Sequence, residues 1–191
     1  MMRTLVSLRP ARASDAPFLA TLWESAIRRV DRAEQVADLE LVIKTATESP
    51  DEKIVIAEYD GSPAGAVYLR LTTLSAINLE PTLQALSPHV LPEFRRHGVG
   101  RTLMEAAVSY AEELGVTQLA TAAASSSRDG NRFMARLALG PQAVLRVAST
   151  HAVRARLAAQ RPSLHRSSGR QLGQVLAARR SLKRSQASDA N

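Results

Sequence analysis

The chain has 191 residues, of which 45% are hydrophobic and 23% charged, so a buried core is feasible and one domain plus a tail is expected. It contains no cysteine, which excludes disulfide bonds, cysteine-based metal sites and a thiol nucleophile. Its four histidines lack metal-binding spacing, and no apolar run approaches the roughly 20 residues that span a bilayer. We therefore expect a soluble, cytoplasmic protein without a metal site.

The positive charge is concentrated at the C-terminal end of the chain. Residues 1–151 hold 16 basic and 17 acidic side chains, a net charge of −1, within a total of +7. Residues 152–191 hold nine basic side chains against Asp189 alone, a net charge of +8. The sequence therefore predicts a nearly neutral domain over residues 1–157 and a basic extension over residues 158–191.

Hydrophobic periodicity predicts the elements of the N-terminal half. In chain order these are strand Thr4–Arg9, helix Phe18–Ile27, helix Arg32–Thr47, strands Lys53–Tyr59 and Pro63–Thr72, and strand Leu83–Leu91. Asp60 and Gly61 form the turn of a hairpin between the second and third strands. Pro88 interrupts the fourth strand and indicates an edge or a bulge there.

The C-terminal half continues the alternation of helices and strands. The predicted elements are helix Val99–Leu114, strand Val116–Ala124, helix Asn131–Leu139, strand Ala143–Ala148, helix His151–Ala159, a linker over Arg161–Gly169 and a weak basic helix over Leu172–Leu182. The order of elements indicates an α/β (α+β) domain with a mixed sheet flanked by helices, followed by the basic helical tail.

The segment from Arg95 to Arg101 joins the fourth strand to the longest helix and carries the clearest chemical signal. It reads Arg-Arg-His-Gly-Val-Gly-Arg. Glycines at 98 and 100 let backbone N–H groups approach a ligand, and the helix N-terminus adds unpaired donors and partial positive charge. Together with the arginines these groups predict a pyrophosphate site. A tight turn without a ligand is the alternative; the spacing matches neither a Walker loop nor a GxGxxG fingerprint.

The same residues resemble a known family. Arg95-Arg96-His97-Gly98-Val99-Gly100, preceded by Val90-Leu91-Pro92-Glu93-Phe94, is similar to the acyl-CoA motif of the GNAT superfamily of N-acetyltransferases. The order of elements from Thr4 to about Ala148 also resembles the three-layer GNAT fold. The resemblance implies transfer of an acetyl group from acetyl-CoA to a primary amine, by direct attack in a ternary complex.

The resemblance also implies roles for single residues. The CoA pyrophosphate would be held by Arg101 and by the backbone amides of the six residues before it, Arg95, Arg96, His97, Gly98, Val99 and Gly100. Val90 and Leu91 would pair with the pantetheine arm in a gap between two strands, and an N–H near Val90 would polarise the thioester carbonyl. Asn131, at the start of the next helix, would contact the pantetheine or its sulfur.

The catalytic residues depart from the family pattern. Met134 lies where many members have a tyrosine that protonates the departing thiolate, and a thioether cannot donate a proton. For the general base the candidates are His89, on the fourth strand, and Glu80, in the loop before it. A packed histidine and a surface glutamate are the alternative interpretations.

Three functional readings stay open at this point. The first is the acetyltransferase; the second is a catalytically weak domain that binds acyl-CoA as a ligand or scaffold, with the tail engaging an acidic partner. The third is association with nucleic acid through the basic tail, where the absence of aromatic side chains argues against base stacking. The acceptor, whether a small molecule or a peptide amine, and the oligomeric state are not predicted.

Overall fold

A computed structural model of the chain describes residues 5–124 and 126–160. The linker predicted over Arg161–Gly169 and the helix predicted over Leu172–Leu182 lie outside these residues. The described residues divide into two compact units between Gln142 and Ala143. The boundary predicted between residues 157 and 158 stays a prediction.

The first unit holds a five-stranded sheet in the order β1-β2-β3-β4-β5. Its strands are β1 (Val6–Pro10), β2 (Glu52–Tyr59), β3 (Ser62–Thr73), β4 (Pro81–Val90) and β5 (Gln118–Thr121). Neighbours from β1 to β4 pair antiparallel, whereas β4 and β5 pair parallel. The sheet is therefore mixed, as the sequence predicts.

Helices cover both faces of the sheet. They are α1 (Ala16–Leu22), α2 (Arg32–Glu48), α3 (Val99–Glu113) and α4 (Arg128–Arg136). The core on one face joins α1 and α2 to Ile54, Ile56 and Ala66. The core on the other face joins α3 to Val67 and Leu83. This three-layer α/β architecture confirms the predicted fold class.

Helix α3 follows the predicted apolar stripe closely. Val99 and Leu103 are almost completely buried, and Ala107 and Ala111 continue the same face one and two turns later. Gly115 follows the helix with φ +68°, as expected for a residue that ends a helix in the left-handed conformation. The helix is thus anchored over its whole length, and its N-terminus is held at a fixed place relative to the sheet.

Several predicted boundaries were wrong. Helix α1 ends at Leu22 rather than Ile27, and β5 covers four residues rather than the span 116–124. Helix α4 begins three residues early, because Ser127 caps it by accepting a hydrogen bond from Gly130 N–H at 3.2 Å.

The second unit contains no strand in its described residues. Residues 141–149 have no regular structure, so the strand predicted over Ala143–Ala148 was wrong. Leu145 and Val147 are 89% and 85% exposed, and a strand forms only where a neighbouring strand can pair with it. Helix α5 (Thr150–Ala159) agrees with the predicted helix His151–Ala159. Within the described residues, no helix is both long and apolar enough to span a bilayer.

Candidate active site

Strand β4 changes its surroundings halfway along its length. Thr82–Ala85 pair with β3 on one side and with Gln118–Thr121 on the other. The Thr121 hydroxyl donates to the Ala85 carbonyl at 2.8 Å and marks the last of these pairs. Beyond it β4 continues for five residues beside β3 only, so β4 and β5 separate and leave a gap.

A bulge lies where the gap opens. The register of β3 against β4 shifts between Ala66 and Tyr68, and Ser87 in the extra segment has φ +45°. The bulge predicted from Pro88 is therefore confirmed, since an inserted residue bends the strand locally. The indole N–H of buried Trp23 donates to the Ser87 carbonyl at 2.9 Å and holds the bulge against the first helical layer.

The backbone of Val90 faces the gap. Leu91 N–H donates to the Ala64 carbonyl at 2.9 Å, so Leu91 points its N–H toward β3. Because successive residues of a strand present their N–H groups to opposite edges, Val90 presents its N–H and carbonyl to the open edge. The Leu91 carbonyl accepts from Phe94 N–H, so both polar groups of Leu91 are used within the protein. Of Val90 and Leu91, only Val90 thus presents its N–H to the open edge, and the predicted contacts of both residues with pantetheine stay a prediction.

The turn between β4 and α3 presents a row of backbone donors. Within the described part of the chain, no hydrogen bond uses the backbone N–H groups of residues 96–101. Arg96 and Gly98 both have left-handed backbone angles, φ +65° and +86°. Such angles in a short segment turn successive N–H groups toward one point, and the α3 N-terminus adds its partial positive charge. These angles favour an anion site at the turn, and the site itself stays a prediction.

Aromatic packing fixes this turn to the sheet. The Tyr59 ring lies 4.9 Å from the His97 ring and 5.8 Å from the Phe94 ring, measured between centroids. On the other side, a Cβ added at Gly100 would be 3.6 Å from Val90 and 3.7 Å from Phe133, which is ordinary contact. His97 thus has a packing role in the turn, in addition to its predicted place in the anion site.

The arginines of the turn are exposed and weakly held. Arg95 Nε donates to the Val90 carbonyl at 3.4 Å, and Arg101 pairs with Glu105 one turn along α3 at 2.8 Å. The Arg101 side chain is 77% exposed, so water competes with that pair. Arg95, Arg96 and Arg101 are therefore available to an anion at the turn.

The two base candidates lie at opposite ends of β4. His89 is opposite Ala66 in the register and shares the sheet face covered by α1 and α2. Its Nδ1 atom is buried and has no hydrogen-bond partner among the described residues. Glu80 is exposed in the loop before β4, nine residues or about 30 Å of strand away. His89 therefore lies in the half of β4 that borders the gap, and Glu80 lies beyond the other end of the strand.

Residues of α4 line up differently from the prediction. Asn131 lies within the helix rather than at its start, and its amide donates to the Ala124 and Ser127 carbonyls at 3.0 and 2.7 Å. Both donors of the amide therefore shape the loop after β5, and the side-chain oxygen is left for a ligand. Met134 is buried, 8% exposed, and its thioether cannot donate a proton. Its correspondence to the family's tyrosine stays a prediction.

The sequence analysis missed a polar cluster on the α1–α2 face of the sheet. It consists of Glu52, Tyr68, Arg70 and Gln84. The Tyr68 hydroxyl donates to Glu52 at 2.7 Å, and Arg70 donates to Gln84 at 3.2 Å. Burial, together with the hydrogen bond to Glu52, raises the pKa of Tyr68 to about 12, so the phenol stays protonated. The signal for this cluster in the sequence was the polar residues at alternate positions 68, 70 and 72, in a strand whose face is covered by helices.

A separate cavity of about 350 Å³ lies between α2 and the start of β2. Its lining includes Ile43, Ala46, Lys53 and Tyr110, and it shares no lining residue with the turn. Among the described residues, no group of three His, Asp or Glu side chains is arranged to hold a metal ion. The candidate site is therefore assigned from the donors at the turn and the gap.

Comparison with known proteins gives a family and a fold. Residues 18–138 match the model of the acetyltransferase (GNAT) family. No curated protein sequence matches the chain. A transcriptional regulator from Bacillus halodurans is 14% identical with a TM-score of 0.63, over 75% of this chain and 99% of that one.

Two solved acetyltransferases are also similar. An aminoglycoside N-acetyltransferase in complex with CoA is 16% identical with a TM-score of 0.62, over 76% of this chain and 95% of that one. Glucosamine-6-phosphate N-acetyltransferase from Arabidopsis thaliana is 14% identical with a TM-score of 0.58, over 76% and 98%. At these identities the structures show the shared fold, and the family model covers both the gap and the turn. The chain belongs to the GNAT family of acetyltransferases.

Proposed function

We propose that this protein is an N-acetyltransferase that uses acetyl-CoA and a primary amine in a ternary complex. The observation that carries the proposal is the row of unpartnered N–H groups over residues 96–101, at the end of a strand whose outer edge is open. CoA combines a pyrophosphate with an extended amide-containing arm, so its two parts fit the turn and the edge. Similar structures are named for acetylating aminoglycosides and glucosamine 6-phosphate, both of which are amines.

In this proposal the turn holds the pyrophosphate. The N–H groups of residues 96–101 donate to its oxygens, and Arg96 and Arg101 supply the opposite charge. The Val90 carbonyl, which Arg95 Nε contacts at 3.4 Å, accepts a hydrogen bond from the pantetheine arm, and the Asn131 side-chain oxygen accepts one from the other side of the gap.

Acetyl-CoA supplies an acetyl group activated as a thioester. The amine nitrogen forms a bond to the carbonyl carbon, the carbon–sulfur bond breaks, and CoA leaves as a thiolate. A backbone N–H at the β4 edge, that of Val90, stabilises the negative charge on the carbonyl oxygen. His89, which follows the bulge on β4, accepts the proton that the amine loses.

The departing thiolate receives its proton from water in this scheme. Met134 offers no donor, and general-acid assistance is typically worth about 10²–10⁴-fold. We therefore expect a slow enzyme, and Met134→Tyr is expected to raise kcat with little change in the affinity for CoA.

Titration calorimetry with CoA tests the binding part of the proposal. The double variant Arg96→Glu, Arg101→Glu is expected to lower the affinity for CoA by about 100-fold or more, because each reversal replaces attraction with repulsion. Arg154→Glu, which reverses one exposed charge on α5, is the control and should bind like the wild type. Binding that is absent in the wild type, or unchanged in the double variant, would contradict the assignment of the turn.

Release of CoA thiol in the presence of an amine panel tests the transfer. Turnover that depends on the amine supports the enzyme. Because Met134 replaces the proton donor, a second candidate function is a domain that binds acyl-CoA without transfer. Tight CoA binding without turnover by any amine, in wild type and in Met134→Tyr, would favour that second function. The proposed contact of the basic tail with nucleic acid or an acidic partner concerns residues outside those that the structure describes.

A further inference from the structure

Arg70 has an unusual environment for a charged side chain. It lies on β3 opposite Gln84 of β4, on the sheet face covered by α1 and α2. The residue is half-buried, and its Nε atom is fully buried without a hydrogen-bond partner among the described residues. The one hydrogen bond that its side chain makes to the described residues is to the neutral Gln84 oxygen, at 3.2 Å. A buried donor without an acceptor destabilises the folded chain, and more so when the group is charged.

Carboxylates near Arg70 are engaged elsewhere. Glu52 is opposite Arg70 in the β2–β3 register, but its carboxylate accepts the Tyr68 hydroxyl at 2.7 Å. No carboxylate of the described residues lies within 4.0 Å of the Arg70 guanidinium. By contrast, Arg9 on the same face contacts two carboxylates. Arg70 therefore contacts no carboxylate and keeps a buried N–H without a hydrogen-bond partner among the described residues.

The position of Arg70 relates it to the point of transfer. Its partner Gln84 precedes Leu86 by two residues on the same face of β4, about 7 Å along the strand. Leu86 borders the bulge at Ser87, and His89 follows on the same face. An acceptor amine that lies near the bulge would thus carry its other end toward Arg70 along β4.

We propose that Arg70 binds an anionic group of the acceptor, so that the substrate is an amine that also carries a carboxylate or a phosphate. The inference rests on the proposed function, because only a transferase has an acceptor amine. The contact between Arg70 and an anion does not itself require catalysis. An anion would supply the acceptor that Nε lacks, and guanidinium groups match carboxylate and phosphate geometry. Polycationic amines would be disfavoured by the same charge.

Nitrogen-15 NMR of arginine side chains tests the contact without turnover. The Nε–Hε signal of Arg70, assigned by its loss in Arg70→Lys, is expected to shift when δ-aminovalerate or O-phosphoethanolamine is added to the CoA-bound protein. δ-Aminovaleramide and ethanolamine lack the anion and should leave the signal in place. If the anionic amines leave the Arg70 signal unmoved, the proposal is overturned, whether or not the protein is active.

Kinetics with the same matched pairs test specificity. The anionic member of a pair is expected to have the higher kcat/KM, and Arg70→Gln should lower that value by about 10- to 100-fold through KM. Arg70→Lys should recover part of the loss, and Arg154→Gln, which removes an exposed charge on α5, should change nothing. Equal turnover of both members would overturn the proposal and leave the acetyltransferase intact. Absence of turnover by any amine would instead count against the proposed function, and the NMR experiment would then decide alone.

Discussion

The β1 edge of the sheet and the region around β4 treat polar groups in opposite ways. At the β1 edge, Arg9 donates two hydrogen bonds to buried Asp15, at 2.7 and 2.8 Å, and a third to Glu58 at 2.5 Å. The region around β4 comprises the turn that follows it and Arg70 on the neighbouring strand β3. There, the backbone donors of residues 96–101 have no partner among the described residues, and neither has the buried Nε of Arg70. Both regions belong to one sheet, so the difference is not one of overall burial.

The contrast distinguishes polar groups that stabilise the fold from polar groups that are available to a ligand. A polar group whose hydrogen bonds are satisfied lowers the free energy of the folded chain, and its loss leaves partners unpaired. A group held without partners lowers stability unless something outside the chain completes it. The two regions should therefore respond oppositely to mutation: stability should change at β1, and ligand affinity at β4.

Arg9→Ala should have the largest effect on stability. It leaves the buried Asp15 and the half-buried Glu58 without their cation, and we expect a loss of about 2–3 kcal/mol in the free energy of unfolding. Urea denaturation measures that loss, while the affinity of the folded fraction for CoA should stay unchanged.

Arg101→Ala is the matched variant at the other region. Its exposed pair with Glu105 is worth below about 0.5 kcal/mol, yet its loss should weaken CoA binding by roughly 5- to 10-fold. If Arg9→Ala weakened CoA binding and Arg101→Ala did not, the assignment of stability to the β1 region and of CoA binding to the β4 region would be wrong.

Gly65→Ala should affect both properties, because Gly65 is opposite Val90 where β3 supports the open edge. A Cβ at this position would lie 2.6 Å from the His89 carbonyl oxygen and 3.3 Å from Val90 Cα, which are backbone atoms that cannot turn away. We expect a loss of about 2 kcal/mol in stability and weaker CoA binding, since β4 must shift.

Gly140→Ala serves as the control for Gly65→Ala. No atom lies within 4 Å of a Cβ at Gly140, so denaturation and CoA titration should both match the wild type closely. Equal behaviour of the two variants would show that the close approach of β3 and β4 does not shape the edge.

The order of elements and the turn were readable from sequence because their signals are local. The stripe from Val99 to Ala111 repeats at helical spacing, and Gly98 and Gly100 stand beside it in the chain. Pro88 likewise indicated the bulge in the strand that contains it. Such features depend on residues a few positions apart, so a short stretch of sequence is enough to predict them.

The Arg70 environment and the choice between His89 and Glu80 were not readable in the same way. Whether Arg70 faces Gln84, and which half of β4 loses β5, follow from pairing between distant strands. The bulge shifts that register by an amount that no local pattern specifies. The strand predicted over Ala143–Ala148 failed for a related reason, since its alternating residues do not reveal whether a partner strand exists.

Acid pH should weaken the β1 region, with a smaller effect on stability than Arg9→Ala or Gly65→Ala. Hydrogen bonds from Arg9 lower the pKa of Asp15, against the opposing effect of burial. A carboxyl whose pKa is lower in the folded state stabilises the fold above its unfolded pKa of about 3.9, and that contribution is lost as pH falls through the folded value.

Asp15→Asn tests this pH dependence. The variant keeps the side-chain shape and one acceptor oxygen, and Arg9 keeps its contact with Glu58, so the free energy of unfolding should fall by about 1 kcal/mol at pH 7. Denaturation from pH 7 downward should show the two proteins converging below about pH 4. A gap that stayed constant to pH 2 would show that the ionised form of Asp15 contributes nothing to the stability of this edge.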